Sequence, residues 1–168
     1  IANRILEPWF HMRIILTGTE FENFFALRAH TDAQPEFQAL AYKMLELYNT
    51  STHKILEPGE WHIPFGEKLF DDNRIYHFVD EKKVDVRFQA ATNENYGQVD
   101  AIEDEANEIR RKIAIARCAR VSYYNYEGKD DYQADIKLCD RLFGAIPRHL
   151  SPTEHVAQAT DNNNFIAN

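Results

Sequence analysis

The stretch IEDEANEIRRKIAIARCAR, residues 102–120, contains the clearest helical pattern in the chain. Its small and branched apolar residues recur at alternating spacings of four and three, at Ile102, Ala106, Ile109, Ile113 and Ala116. This spacing places them on one face of an α-helix. Acidic residues lie early in the stretch and basic residues late, as the helix dipole favours. We therefore predict an amphipathic helix over this stretch.

Three further helices are predicted. For the first, the Thr19 and Glu22 pair has capping-box spacing, and the segment has a broad apolar surface formed by Phe21, Phe24, Phe25 and Leu27. A second helix is predicted from Thr31-Asp32 with Pro35 in its first turn, and a third over residues 132–143. The second helix has a stripe expected to face the core, formed by Phe37, Leu40, Ala41, Met44, Leu45 and Tyr48.

Strands are predicted only as short segments. Residues 14–16, 74–79 and 84–88 are apolar enough for short strands, and the charged residues 80–83 would form the turn between the last two. Residues 56–70 contain two glycines and two prolines, which favours an ordered loop. We therefore predict an α/β (α+β) fold: one helix-rich domain over residues 1–168 with a small sheet.

Composition excludes several classes of function. Lys and Arg number 19 and Asp and Glu 27, so the net charge of −8 argues against nucleic acid or an anionic membrane as a partner. The six glycines are too scattered for either of the two common phosphate-binding loops. Neither a membrane-spanning run nor a signal peptide is predicted. Two cysteines without C-x-x-C spacing indicate reduced thiols, and we expect a cytoplasmic protein. Because the sequence starts at Ile1 without methionine, it is expected to be part of a longer chain.

Neither a metal site nor a serine nucleophile is predicted. The seven histidines are widely separated, and no two have the H-x-x-x-H spacing that places imidazoles on one helical face. The G-x-S-x-G motif is absent as well. Any site for an anion would have to be built from arginines or helix ends.

Two arginines lie beside apolar segments that are expected to be buried. Arg28 follows Phe24-Phe25-Ala26-Leu27, and Arg120 lies within Cys118-Ala119-Arg120-Val121-Ser122. A buried guanidinium needs a partner, because an unpaired charge in a protein interior is costly. That partner is either a carboxylate of the protein or the carboxylate or phosphate of a ligand.

The segment Ser151-Pro152-Thr153-Glu154-His155 has the residues that begin a helix. Ser151 is a suitable N-cap, Pro152 suits the first helical position, and Glu154 suits the capping-box carboxylate. One interpretation is a helix start with no other role. The alternative is an anion site at the helix N-terminus, with His155 contributing.

Five motifs together resemble the flavin-dependent thymidylate synthases. Near the start of the chain, Arg4-Ile5-Leu6-Glu7-Pro8, Asn23-Phe24-Phe25-Ala26-Leu27-Arg28 and Ala33-Gln34-Pro35-Glu36 are similar to the family's R-x-x-L-P, N-F-x-x-L-R and A-Q-x-E patterns. Near the end, Ala119-Arg120-Val121-Ser122 and His149-Leu150-Ser151-Pro152-Thr153-Glu154-His155 are similar to A-R-V-S and H-x-S-P-F-E-H. The motif regions are residues 1–50 and 113–157.

The resemblance implies an activity and a set of ligands. The family converts dUMP to dTMP, with methylenetetrahydrofolate as the carbon donor, FAD as the hydride carrier and NADPH as the reductant. It implies that Arg4 and Arg28 contact dUMP and that Asn23, Ser122 and His155 contact FAD. It also implies a homotetramer with sites between subunits and a flavin fold other than the Rossmann fold.

The sequence departs from the family in two ways. The R-H-R element is absent from these 168 residues, and the motifs occur in an unusual order. We therefore expect either a rearranged, phage-type member or a fragment of one. The alternative is a catalytically silent domain on the same scaffold that binds a nucleotide or a partner chain. No role is predicted for Glu60, Trp61 or His62, or for the rest of residues 57–110.

Overall fold

The computed structural model describes residues 11–18, 20–70, 73–78 and 96–161. Within these ranges the chain forms four α-helices: α1 (Glu22–Arg28), α2 (Pro35–Thr50), α3 (Tyr96–Arg120) and α4 (Tyr132–Gly144). Two 3₁₀ helices occupy Asn73–Phe78 and Ser151–His155, and strands β1 (Trp61–His62) and β2 (Ala157–Gln158) form a two-stranded antiparallel sheet. This helix-rich arrangement with a small sheet is an α+β fold, as predicted at that level.

The described chain separates into two compact units. The α1–α2 unit is Leu16–Glu57, and the α3–α4 unit contains the described chain from Pro58 onward. The prediction that residues 1–168 form one domain stays a prediction.

The α3–α4 unit is organised around α3, which the spacing in residues 102–120 predicted. Helix α3 is 25 residues long and buries an almost continuous apolar stretch from Ile113 to Ala116. One core cluster joins Ile113 to Leu69, Ile75 and Tyr132. The second cluster joins Ile115 and Ala116 to Cys139 of α4, with Leu138 and Val156 packed against it. Because α3 contacts α4 and both 3₁₀ helices, it is buried on more than one face.

The α1–α2 unit is a pair of helices joined by aromatic contacts. The Phe25 ring lies 5.5 Å from the Tyr48 ring, and the Phe21 ring lies 6.0 Å from it. Helix α2 begins at Pro35, as expected for proline at the first helical position, and not at Thr31-Asp32. The predicted core stripe of α2 is mostly solvent-exposed: Ala41 is buried, whereas Phe37, Leu40 and Tyr48 are not.

Several predicted local structures are wrong. Residues 14–16 form no strand, and residues 74–79 were predicted as a strand where Asn73–Phe78 forms a 3₁₀ helix. The N-cap of α1 is Phe21, without a side-chain cap, so the predicted capping box does not form. Thr19, the charged turn 80–83 and the predicted strand 84–88 lie outside the described residues.

The loop 56–70 is ordered, as predicted, although it contains the short strand β1. Trp61 pairs with Gln158 and His62 with Ala157. The pairing is extended by hydrogen bonds from the Gly59 N–H to the Ala159 carbonyl (2.8 Å) and from the Ala159 N–H to the Glu60 carbonyl (2.9 Å). The loop is therefore attached to the segment that directly follows the 3₁₀ helix Ser151–His155. None of the described helices is both long and apolar enough to cross a membrane.

Candidate functional site

The residues predicted to bind ligands fall in both units. Arg28 and Asn23 lie on α1, and both are exposed. Helix α1 has no buried residue, so the expectation that Arg28 flanks a buried segment and needs a partner is wrong. An exposed guanidinium remains solvated without one. Arg4 lies outside the described residues.

Arg120, the other arginine that the sequence singled out, is partly buried at the end of α3 and is paired within the protein. Its Nε donates to the Ser122 carbonyl (3.1 Å), and one terminal nitrogen donates to the Tyr123 carbonyl (3.1 Å). Its other terminal nitrogen donates to Asp135 of α4. The partner of this guanidinium is therefore a protein carboxylate together with two carbonyls, which is the first of the two alternatives.

Asp135 links two arginines of α3. Its side chain is completely buried, and it accepts from Arg120 through Oδ1 and from the Nε of Arg117 through Oδ2 (3.2 Å). Arg117, also nearly fully buried, donates through its remaining nitrogens to the Phe65 carbonyl (2.8 Å) and to Asp130 (2.7 Å). Both oxygens of this buried carboxylate are used by charge-assisted hydrogen bonds, so removing either arginine would leave a buried polar group without one of its partners.

The turn after α3 has an unusual backbone. The Ser122 N–H donates to the Arg117 carbonyl and the Val121 N–H to the Cys118 carbonyl, both at 3.2 Å. These two bonds form a Schellman motif, in which the residue after the helix is normally glycine in the left-handed conformation. Val121 occupies that position with φ of 49°. A β-branched residue is strained there by about 1–3 kcal/mol, and such strain persists only where neighbouring contacts hold it.

Ser122 follows this strained residue and lines an open cleft. Its hydroxyl oxygen accepts from the Tyr124 N–H (3.1 Å), which leaves the hydroxyl proton available for another acceptor. The cleft has a volume of about 480 Å³. Its lining residues come from the end of α3, the turn that follows it, and α4: Arg120, Ser122, Tyr124, Asn125, Tyr126, Ala134, Leu138 and Arg141.

Arg141 is a cationic residue of this cleft that the sequence did not single out. It lies in the last turn of α4 and is solvent-exposed. It forms no hydrogen bond or ion pair with any other residue in the described ranges. The cationic group that can meet an anion beside Ser122 is therefore Arg141, since Arg120 is occupied by Asp135. Only the packing of α4 against α3 brings Arg141 to Ser122, so no local sequence pattern could have identified it.

The loop between α3 and α4 is ordered around Asn125. The side-chain oxygen of Asn125 accepts from the backbone N–H groups of Glu127 and Lys129, both at 3.0 Å. Gly128 has φ of 74°, which glycine adopts without strain. Tyr126 extends from this turn completely exposed to solvent. The turn therefore holds Tyr124 and Tyr126 at the edge of the cleft on an ordered backbone.

His155 ends the 3₁₀ helix Ser151–His155, which packs against α3. The N-cap of this helix is Leu150, so the predicted N-cap role of Ser151 is wrong, although Pro152 does lie in the first turn, where it is buried. The helix has five residues. The alternative interpretation, an anion site at its N-terminus with His155 contributing, stays a prediction. Ser122 and His155 are both carried by segments that α3 holds in place.

Burial changes the chemistry of the two cysteines. Burial raises the pKa of Cys118 and of Cys139 to about 11, so both are thiols at neutral pH. Within the described ranges, no group of three or more His, Cys, Asp or Glu side chains is placed to hold a metal ion.

Comparison with protein-family models, with curated proteins and with solved structures finds no match for this chain.

Proposed function

We propose that this chain carries residues that bind the flavin and the nucleotide in a flavin-dependent thymidylate synthase. In this proposal it takes part in the reductive methylation of dUMP to dTMP with methylenetetrahydrofolate, FAD and NADPH. It acts in the cytoplasm as a homotetramer, either as a rearranged member or as a fragment of one. The supporting observation is that Ser122, predicted to contact FAD, directly follows a strained residue and opens onto a cleft that contains Arg141, an arginine with no partner in the described part of the chain.

The chemistry of the cleft suits a flavin nucleotide. FAD carries two phosphates and planar heteroaromatic rings. Arg141 can donate to a phosphate, the Ser122 hydroxyl can donate to an acceptor, and exposed tyrosines can stack on a ring. These donors fit an anionic, aromatic cofactor and make a metal ion an unsuitable occupant. At about 480 Å³ the open cleft would hold part of the cofactor, in agreement with sites completed by another subunit.

The proposed contribution of this chain is to position and electrostatically stabilise its ligands. When bound, FAD supplies the hydride for the nucleotide. Ser122 and His155 would orient the flavin, and Arg4 and Arg28 would hold the nucleotide phosphate or uracil by charge-assisted hydrogen bonds. Asn23 lies on the same helix as Arg28, and the family resemblance gives it a contact with the flavin. These roles require orientation of the ligands and no covalent nucleophile.

The proposal is tested by ligand binding to the purified protein. We expect a flavin absorption spectrum, or saturable binding of added FAD, together with saturable binding of dUMP. Arg141→Gln should weaken FAD binding, whereas Arg148→Gln, another exposed arginine that is not among the lining residues of the cleft, should leave it unchanged. If the protein binds neither FAD nor dUMP, the proposal is overturned.

Arg28→Ala is predicted to weaken dUMP binding by about 1.5–3 kcal/mol, because it removes a charge-assisted hydrogen bond to the nucleotide. Calorimetric titration with dUMP measures the change. Since α1 has no buried residue, the substitution should leave the thermal unfolding midpoint unchanged. Unchanged dUMP affinity would contradict the assignment of Arg28.

A second candidate is a catalytically silent domain on the same scaffold that binds a nucleotide or a partner chain. It is favoured by two observations: the R-H-R element is absent from these residues, and the buried Arg117 and the partly buried Arg120 are used by protein acceptors. Binding of dUMP without any binding of FAD would support this alternative over the enzyme.

A further inference from the structure

Asp135 is an acidic residue in the protein interior, where an acidic side chain does not contribute to solubility. It is fully buried in α4, and each carboxylate oxygen is used by a different arginine of α3. The arginine on its Oδ1 is Arg120. Its other donors turn back onto its own chain.

Those other donors hold the turn that follows α3. Arg120 donates to the carbonyls of Ser122 and Tyr123, so one guanidinium connects the buried carboxylate to two successive peptide groups. The planar, forked geometry of guanidinium allows three contacts in fixed directions, which a lysine ammonium on a flexible chain cannot reproduce. The peptide groups so held directly follow Val121, whose φ is 49°.

The strain at Val121 shows why this turn needs a clamp, by which we mean the contacts of Arg120 with Asp135 and with the Ser122 and Tyr123 carbonyls. Without an external restraint, a valine at this position would relax out of the left-handed region, and Ser122 would move with it. A glycine would remain there without a restraint. The restraint and the strained residue are therefore expected to depend on each other.

We propose that Asp135, acting through Arg120, is the positioning residue for Ser122 in the flavin site. This inference rests on the proposed function for its ligand, whereas the clamp itself can be measured without any ligand. Asp135 touches no ligand in this proposal; it fixes the peptide groups that present the Ser122 hydroxyl to the cleft.

The test compares Arg120→Lys with the wild-type protein by two measurements. The first is amide hydrogen exchange at Ser122 and Tyr124, whose N–H groups are bonded within the turn. The second is the Kd for FAD. We expect exchange at both amides to accelerate and the Kd for FAD to rise, each about tenfold. The amides of Gly59 and Ala159, in the sheet of the same unit, serve as internal references and should not change.

Substitution of the carboxylates provides a matched pair. Asp135→Asn should accelerate exchange at Ser122 and raise the Kd for FAD. Asp140→Asn on the same helix removes an ion pair to Lys112 (3.1 Å) at the surface and should change neither. If Asp135→Asn does not fold, Arg120→Lys tests the proposal alone.

Val121→Gly separates positioning from general stability. In the Val121→Gly background, Arg120→Lys should have little effect on exchange at Ser122 or on the Kd for FAD, because glycine holds the left-handed conformation unaided. A purely structural loss of the Arg120–Asp135 pair would not be rescued by glycine at this position.

Three outcomes overturn the proposal. One is unchanged exchange at Ser122 and Tyr124 in Arg120→Lys. Another is the absence of rescue by Val121→Gly. The third is accelerated exchange with an unchanged Kd for FAD, which would show a clamp without a role in binding. If wild-type protein binds no FAD at all, the proposed function fails, and with it the role of Asp135 in flavin binding. The exchange measurements still show whether the clamp exists.

Discussion

Gly66 shows how little space some residues of the loop 56–70 have. A Cβ atom on Gly66 would lie 2.8 Å from the carbonyl oxygen of Ile63 and even closer to the Ile63 side chain. The neighbouring Phe65 has φ of 59° and supplies the carbonyl that accepts from Arg117. The close packing at Gly66 therefore supports one of the contacts of the buried arginine.

Gly66→Ala is predicted to lower the free energy of unfolding by about 1–3 kcal/mol, because the Ile63 backbone must shift to admit a methyl group. Urea unfolding measures the change. Gly144→Ala is the control, since a Cβ atom there meets nothing within 4 Å. Equal stability of the two variants would contradict the prediction.

Because of the two buried thiols, the free energy of unfolding depends on pH in the alkaline range. A thiol has a pKa of about 9.0 when exposed, and the folded protein holds Cys118 and Cys139 protonated up to about 11. Between these values the folded chain binds more protons than the unfolded chain, so the free energy of unfolding falls as pH rises. The contribution is fully present below pH 9 and is lost as pH approaches 11.

We expect unfolding free energies at pH 8 and pH 10.5 to differ more in the wild-type protein than in the Cys118→Ala/Cys139→Ala variant, by an amount on the order of 1–3 kcal/mol. Parallel pH dependence in the two proteins would show that burial does not hold these protons. The comparison between proteins removes the contribution of tyrosines and lysines, which they share.

Neighbouring residues in the sequence did not reliably predict whether an arginine side chain is buried. Both Arg28 and Arg120 lie beside apolar residues, yet one is exposed and the other is buried against Asp135. The difference arises because α4 covers the end of α3, whereas no residue of α1 is buried. Burial of one arginine in such a pair depends on long-range packing, which local composition does not specify.

At the scale of elements, α4 begins with a side-chain cap. Asp131 accepts from the Ala134 N–H (3.0 Å), which satisfies one of the free N–H groups at the helix start. This cap fixes the first turn of the helix that carries Asp135, Leu138 and Arg141.

Asp131→Ala is predicted to lower the free energy of unfolding by about 1 kcal/mol through loss of this cap. Asp131→Asn should have almost no effect, because asparagine caps helices as well as aspartate does. Chemical denaturation of both variants provides the comparison. A loss of stability in both would assign the effect to charge and not to capping.

Helices were predictable here and strands were not. The period of apolar residues identified α3 and α4, because apolar residues at helical spacing face the core in both. The ends of α4 are nearly as predicted, whereas α3 begins at Tyr96, well before Ile102. A short apolar run such as residues 14–16 matches the strand pattern whether or not a partner strand is available to it. No strand forms there. The observed strands have two residues each and depend on a pairing between positions far apart in the chain. No local pattern encodes that pairing.

At the scale of the molecule, the α1–α2 unit has a small core for its apolar content. Its described helices bury only Ala41 completely, while Leu27, Phe37, Leu40, Leu47 and Tyr48 are more than half exposed. An apolar surface of this kind is a usual site of association. The homo-oligomer expected from the family resemblance stays a prediction, and this surface is where we expect it to form.

The purified protein is predicted to associate in a concentration-dependent way, as measured by sedimentation velocity. Leu40 and Leu47 are seven residues apart on α2 and so share a face. The Leu40→Gln/Leu47→Gln variant should weaken association at least about tenfold, since it removes apolar area from the interface. Leu150→Gln, at an exposed leucine of the other unit, is the control. A monomeric wild-type protein would contradict the prediction.

The pairing of β1 with β2 sets an order for folding. The Gln158 side chain donates to the Gly59 carbonyl across 99 positions of sequence, so β1 has no partner until nearly all of the described chain has been synthesised. Helix α3 needs only local contacts to begin forming, whereas closing so long a loop is entropically slow. We therefore expect the loop with Trp61 and His62 to dock late, after α3 and α4 have paired, and its docking to complete folding of the unit.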